Sequence, residues 1–184
     1  MTKKALIILA KGFEEIEAIA VIDILRRAGI NLIIAGLGSK IISSTRNLNI
    51  ITDKTMDQIN AKDYDAVILP GGMIGSKNLS HSKKVTDLIK KMHSKNKIVA
   101  AICAAPAVVL APIGILDNKN ATCYPGMQNE FNENTAFIDK KVVIDGNLIT
   151  SQDVGTAMEF ALAIVEKIRG KGAAKKIAKQ ALIN

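Results

Sequence analysis

Hydrophobic residues along the chain fall into two kinds of stretch. Short runs are apolar throughout, as in strands that are buried on both faces of a sheet. They are residues 4–10, "INLIIAGLG", "YDAVILPGG" and "KIVAAI". Longer stretches carry apolar residues three or four positions apart, which predicts helices over residues 13–28, 82–94 and 154–168. Strands that alternate with helices predict an α/β fold, with a mostly parallel sheet covered by helices on both faces.

The remaining patterns predict smaller elements. "SSTRNLNIITD" suggests a short strand pair or an excursion at the sheet edge. "KVVIDGNLITS" predicts a hairpin with Asp145-Gly146 at its turn. A helix is expected to begin at residues 105–110, and a lysine-rich helix ends the chain. There are no repeats, low-complexity segments or linkers, so a single domain over residues 1–184 is expected.

Length and composition exclude several classes of protein. With 184 residues, 48% of them hydrophobic and 23% charged, the chain can form one full core. No apolar run approaches the roughly 20 residues of a membrane span. Lys11, Glu14 and Glu15 follow the first apolar run where a signal peptide would have its small-residue cleavage site. A cytoplasmic location without membrane contact is therefore expected.

Neither the net charge nor the histidines and cysteines indicate a nucleic-acid partner or a metal site. The formal net charge of +8 makes nucleic acid a candidate partner. Much of the excess positive charge, however, lies in the single segment "EKIRGKGAAKKIAKQ". Aromatic residues are only 3% of the chain, too few for base stacking, so a solvated basic helix is preferred. Two cysteines argue against a disulfide framework. His81 and His93 lie on polar segments that predict solvent exposure, so no metal site is expected.

Three predicted strands end in segments of unusual composition, "LAKGFEE", "LPGGMIG" and "AICAAPA". In open parallel sheets, ligands bind outside the carboxyl ends of the strands. We therefore expect these three loops to form the functional site together.

Cys103 is placed where a buried strand stops and a helix starts. Unpaired N–H groups at a helix start favour a thiolate, which predicts a depressed pKa for this thiol. The residues around it are small, as a sharp strand-to-helix turn requires. They are Ala101, Ala104, Ala105 and Ala107. A structural cysteine in a tight core remains the alternative.

Glu17 lies in the middle of the apolar face of the first helix, at about 100° per residue. A buried carboxyl group without a partner is costly, so Glu17 should have a raised pKa or a hydrogen bond. An edge position or a structural ion pair is the alternative. Gly71 and Gly72 end another strand, where backbone N–H groups could hold an oxyanion together with the amide after Cys103. Most Pro-Gly-Gly segments are simply turns.

One absence restricts the chemistry. Cysteine hydrolases and glutamine amidotransferases need a histidine base, which follows the nucleophile in related strand–elbow–helix enzymes. No histidine follows Cys103. Glu17 is then the one acid–base group that the pattern places near the thiol.

Several motifs together resemble the DJ-one/ThiJ/PfpI superfamily, closest to the branch of the parkinsonism-associated protein deglycase and bacterial YajL. They are "LAKGFEEIEA", "DILRRAGI", "YDAVILPGGMIG", "IVAAICAAPAVVLAPIG" and "TSQDVGTAMEFALAIVE". The resemblance covers nearly the whole chain in order. It implies a flavodoxin-like three-layer sandwich with a nucleophile elbow, and a homodimer.

The resemblance also implies roles for particular residues. Cys103 would be the oxidation-prone nucleophile, and Glu17 a protonated partner that hydrogen-bonds its sulfur. The amides of Gly72 and Ala104 would form the oxyanion pocket. Arg46 would lie near the pocket and reach across the dimer, or would otherwise be a solvated loop residue.

Two further positions on the first helix, Asp23 and Arg27, match the flank that the family uses for dimer contacts, although a surface ion pair fits either residue equally. The chain also departs from its relatives. Ala104 replaces the histidine of the protease-like branch, which argues against peptidase activity. Tyr124 replaces the histidine of the parkinsonism-associated protein, as an aromatic residue does in YajL-like proteins. Cys123 is either a second redox thiol or, preferably, a buried cysteine.

The resemblance implies an enzyme of the glyoxalase III or protein deglycase type. Its substrates would be small aldehydes or dicarbonyls and, as a further class, glycated proteins, and it would need no glutathione, metal or other cofactor. The alternative is a redox-sensing stress protein or chaperone that works through oxidation of Cys103 to sulfinate. A third label, thiazole biosynthesis, has no support in the residues.

Overall fold

The computed structural model describes residues 3–183. Its strands are β1 (Lys4–Leu9), β2 (Asn31–Gly36), β3 (Ile41–Ser43), β4 (Asn49–Ile51), β5 (Lys54–Thr55), β6 (Ala66–Leu69), β7 (Ile98–Ile102), β8 (Asn120–Ala121), β9 (Ala136–Phe137), β10 (Val142–Asp145) and β11 (Leu148–Ser151). Its α-helices are α1 (Glu15–Arg27), α2 (Met73–His81), α3 (Lys83–His93), α4 (Ala157–Arg169) and α5 (Lys171–Gln180). A short π-helix, Pro106–Leu110, follows β7.

The central sheet orders its strands β10-β11-β7-β6-β1-β2-β5. Neighbouring strands are parallel, except for the antiparallel pair β10 and β11 at one edge. The mostly parallel α/β sheet agrees with the sequence pattern, and the architecture is the flavodoxin-like one that the family resemblance implies. Within residues 3–183, none of the helices combines the length and the hydropathy needed to cross a membrane.

Side chains of the central strands alternate between two apolar layers, because successive residues of a strand point to opposite faces. In β1, Ala5, Ile7 and Leu9 join the layer that packs against α1 and α4. Leu6 and Ile8 join the layer beneath α3 and the π-helix. Both faces of the sheet are therefore covered, which explains why the strands are apolar throughout.

The strand order brings the three unusual loops together. β1, β6 and β7 are neighbours and run in the same direction, so the loops after Leu9, Leu69 and Ile102 leave the same edge of the sheet. The convergence expected from the sequence is confirmed.

Some local details differ from the sequence-based predictions. The hairpin turn is Gly146-Asn147 rather than Asp145-Gly146, because Asp145 still pairs with Leu148. Helix α2 was not predicted, since glycine, serine and asparagine weaken its amphipathic pattern. "SSTRNLNIITD" contains β4 and the last residue of β3, and these two strands pair with each other as expected. His81 is exposed as expected, but His93 is half-buried, and burial lowers its pKa.

The chain passes through a confined space between β6 and α2. Gly72 has φ +84°, and a Cβ atom at this position would lie 2.4 Å from the carbonyl oxygen of Gly12. Gly38 has a similar φ of +78°, but a Cβ there would meet nothing within 4 Å. Alanine substitutions at Gly38 and Gly72 therefore distinguish the cost of backbone strain alone from the cost of strain combined with steric overlap.

We expect Gly38→Ala to lower the free energy of unfolding by about 1 kcal/mol, because only the left-handed conformation is penalised. Gly72→Ala should lower it by about 2–4 kcal/mol, because overlap with Gly12 adds a further cost. Chemical denaturation of the two variants and the parent protein measures both values. Equal losses would contradict the close approach at Gly72.

Candidate active site

Cys103 lies directly after β7 and has a left-handed backbone with φ +63°. This conformation is unfavourable for a residue with a side chain, so the surroundings must hold it. The N–H of Cys103 donates to the carbonyl of Ser151 at 3.0 Å, and its carbonyl accepts from the N–H of Tyr124 at 2.8 Å. The thiol is thus fixed at a sharp turn between strand and helix, 8% exposed.

The neighbours of Cys103 are small because backbones approach closely there. Ala101, Ala104 and Ala105 are buried in the packed interior. A Cβ atom at Gly71 would lie 2.5 Å from the Cβ of Cys103 and 2.7 Å from Oε2 of Glu17. A side chain at Gly71 would therefore displace the two groups that define the site.

Glu17 is fully buried in the first turn of α1. Its backbone N–H donates to Oε2 of Glu14, which caps the helix. Its own Oε2 accepts the N–H of Gly71 at 2.7 Å. Its Oε1 has no hydrogen-bond partner among the described residues. A carboxylate oxygen of Glu17 lies within 4.8 Å of the sulfur of Cys103, and Oε1 keeps its hydrogen-bonding capacity for a bound molecule.

Burial raises the pKa of Glu17 to about 8, although the Gly71 hydrogen bond and Cys103 act in the opposite direction. Nearby Glu14 and Asp153 raise it further. Glu17 is therefore mainly protonated at neutral pH, and the proton makes it a hydrogen-bond donor. The burial expected from the helical pattern is confirmed.

The expected depression of the Cys103 pKa is wrong. Burial raises the pKa of this thiol, and a negative charge on Glu17 would raise it more. The N–H groups of Gly72 and Ala104 donate toward the sulfur and lower the pKa, but they do not offset burial. The segment after Cys103 is also a five-residue π-helix, so it offers a weaker dipole than a regular helix start.

The other residues predicted for the site differ in how directly they contact Cys103 and Glu17. Gly72 and Ala104 are in place as amide donors, whereas the amide of Gly71 is used by Glu17. Tyr124 is 43% exposed and is tied to Cys103 through its backbone. Arg46 is 70% exposed and pairs with Glu14 and, at 3.9 Å, with Glu15.

Three residues outside the core of the site were also singled out by the sequence. Cys123 is fully buried, and burial raises its pKa to about 11. This agrees with a buried cysteine rather than an accessible second thiol. Asp23 and Arg27 form an ion pair with each other at 2.6 Å on the surface of α1.

Asp153 is the site residue that sequence reasoning missed. A carboxylate oxygen of Glu17, a carboxylate oxygen of Asp153 and the sulfur of Cys103 lie within 4.8 Å of one another. This spacing could hold a metal ion. A metal would have to displace the proton of Glu17 and that of the thiol, both of which burial favours. Asp153 follows β11, and extending the strand-end rule to that strand would have found it.

Comparison with known proteins agrees with this geometry. The family model of the DJ-1/PfpI family matches residues 3–167. Protein dj-1beta of Drosophila melanogaster is 44% identical, over 100% of this chain and 98% of that protein. A Caenorhabditis elegans protein named "Glutathione-independent glyoxalase DJR-1.2" is 35% identical, over 91% of this chain and 90% of that protein.

The structural comparison gives the same result. The structure titled "Toxoplasma gondii DJ-1, oxidized" superposes with a TM-score of 0.95 at 35% sequence identity, and the match covers 98% of each chain. The family model matches well over half of the sequence, and the two relatives named above match along almost their full length. This chain therefore belongs to the DJ-1/PfpI family.

Proposed function

We propose that the chain is a cysteine-dependent enzyme that converts reactive dicarbonyls such as methylglyoxal to hydroxy acids, without glutathione or a metal. The observation that carries the proposal is the buried, protonated Glu17 beside Cys103, in a site with no histidine after the cysteine. The relative named as a glutathione-independent glyoxalase supports the same reaction. Dicarbonyl adducts on proteins are a further substrate class that we propose on the same chemistry.

The first step is addition of Cys103 to the aldehyde. The sulfur forms a bond to the aldehyde carbon, the π electrons move to the carbonyl oxygen, and the thiol proton is transferred to that oxygen. The product is a hemithioacetal. The amides of Gly72 and Ala104, which face the sulfur, would stabilise the negative charge that develops on the oxygen.

The second step moves a hydrogen between adjacent carbons. Glu17 would give its proton to the former ketone oxygen and remove the hydrogen from the former aldehyde carbon, which gives an enediol. It would then deliver that proton to the former ketone carbon and take back the hydroxyl proton of the former aldehyde carbon, so that a thioester forms and Glu17 is protonated again. A carboxyl group with a pKa of about 8 can act as acid and base near neutral pH. The resulting thioester reacts with water, which releases lactate and restores the thiol.

A second function uses the same residues. Cys103 could oxidise to sulfinate, with the chain acting as a redox sensor or chaperone. The free Oε1 of buried Glu17 would then donate its proton to a sulfinate oxygen. The similarity to a structure titled as oxidised favours keeping this alternative. Both cysteines are free, which supports a reducing, cytoplasmic compartment for either function.

We expect Glu17→Gln to lose methylglyoxal turnover by at least about a hundredfold, the usual scale of acid–base catalysis. Glutamine keeps the shape of Glu17 and its ability to donate a hydrogen bond, but it cannot accept a proton. Lactate formation measures the loss, and the intact mass of the protein reports the adduct on Cys103. Cys103→Ser is the control, which should show neither lactate formation nor a covalent adduct.

Parental turnover by Glu17→Gln would refute the mechanism. If the parent protein shows no turnover but Cys103 oxidises to sulfinate under mild peroxide, the redox function is the better account.

We also propose that the chain forms a homodimer through α1. Exposed apolar side chains surround a groove of about 400 Å³ on this side of the molecule. They are Ile16, Ile19, Leu48 and Met158. A second copy of the chain would remove this apolar surface from water, and the family resemblance points to the same helix. Arg46 is exposed close to Leu48 in sequence and could then contact the partner.

We expect Ile19→Lys to convert the dimer to a monomer, because it places a charge in the apolar contact. Ile144→Lys makes the same change at an exposed isoleucine of β10 and should leave the dimer intact. Sedimentation velocity at micromolar concentrations measures both. A monomeric parent protein, or a dimeric Ile19→Lys variant, would contradict the proposed interface.

A further inference from the structure

Asp153 is held beside Cys103 by the sheet and by a turn. β11 runs parallel to β7, with Ser151 opposite Ile102, so the loop after β11 leaves the sheet next to Cys103. The hydroxyl of Thr156 accepts the backbone N–H of Asp153 at 3.1 Å and donates to its carbonyl at 2.7 Å. Its backbone is therefore fixed, and a carboxylate oxygen lies within 4.8 Å of the sulfur of Cys103.

The charge of Asp153 is not balanced by a neighbouring cation. The ion pairs formed within residues 3–183 do not include it. Arg46 pairs with Glu14 and Glu15 instead. Asp153 is half-buried, so water screens its field only in part. Burial is the main cause of the raised pKa of both Glu17 and Cys103, and the negative charge of Asp153 adds to it in each case.

We propose that Asp153 selects neutral α-oxoaldehydes and excludes α-oxoaldehydes that carry a carboxylate, such as 2,3-dioxopropanoate. This inference rests on the proposed function and names its substrate class. When Cys103 adds to the aldehyde of this compound, the carboxylate carbon lies three bonds from the sulfur. A carboxylate at that position would face the negative charge of Asp153 at short range, which destabilises the adduct and the transition state that leads to it.

The selection can be tested without turnover, by alkylating Cys103 with two reagents that differ mainly in charge. With neutral iodoacetamide or anionic iodoacetate, a bond forms between sulfur and carbon, the bond between carbon and iodine breaks, iodide leaves, and the thiol proton passes to solvent. The ratio of the two second-order rate constants, iodoacetamide over iodoacetate, reports the local charge. Mass spectrometry confirms the modified residue, with Cys103→Ser as the blank.

We expect Asp153→Asn to lower this ratio by about tenfold relative to the parent protein, because the repulsion of the anion is lost. Asparagine keeps the size of Asp153 and favours the start of a helical turn. Asp87→Asn removes an exposed carboxylate of α3 and should leave the ratio unchanged. In the parent protein, raising the ionic strength should also lower the ratio, which tests the charge without a substitution.

Turnover separates this inference from the proposed function. The parent protein should convert methylglyoxal in strong preference to 2,3-dioxopropanoate, which the same isomerisation and hydrolysis would turn into 2-hydroxymalonate, and Asp153→Asn should reduce that preference. If neither compound is converted, the proposed function fails, while the alkylation ratio still decides the role of Asp153. A ratio that is the same in the parent protein and in Asp153→Asn, and insensitive to salt, would overturn the inference.

Discussion

The proton on the buried carboxyl group of Glu17 is the constraint on which the site depends. A carboxylate without exposure to water is costly, so the group stays neutral up to a pKa of about 8. One oxygen is fixed by the amide of Gly71, which leaves the other without a hydrogen-bond partner among the described residues. Gly71 must lack a side chain for this to happen, and the left-handed backbone of Cys103 brings the thiol to the same point. The fold places these atoms together because β1, β6 and β7 are adjacent.

The same arrangement serves both proposed functions. An acid beside a nucleophilic sulfur can transfer protons during isomerisation, and it can equally stabilise an oxidised sulfur by hydrogen bonding. Burial raises the pKa of Cys103, so the thiol is not maintained as a free thiolate in the resting protein. Its reactivity would instead depend on what the amides of Gly72 and Ala104, the proton of Glu17 and the charge of Asp153 do to the bound molecule.

Much of the fold and part of the site could be predicted from sequence. Uniformly apolar strands and the 3.6-residue period determine the layers, and the same period identified Glu17 as buried. Features that depend on tertiary structure could not be predicted. The pKa of Cys103 was assigned from its position at a helix start, but the degree of burial decides its direction. The strand-end rule, extended to β11, marks Asp153 as a candidate, but its short distance to Cys103 depends on the register of β11 against β7. The amide of Gly71 binds Glu17 and that of Gly72 faces the sulfur because of where the Glu17 side chain ends.

The most direct test of the account is the pH dependence of unfolding in the parent protein and in Glu17→Gln. The pKa of Glu17 is about 8 in the folded protein, against an ordinary value of 4.5, so between these values the folded state binds one more proton than the unfolded state. The free energy of unfolding of the parent protein should therefore fall, relative to that of Glu17→Gln, by about 1.4 kcal/mol per pH unit from pH ~5 to ~8. A difference that stays constant over this range, or that increases with pH, would show that Glu17 is ionised in the folded protein and would contradict the account.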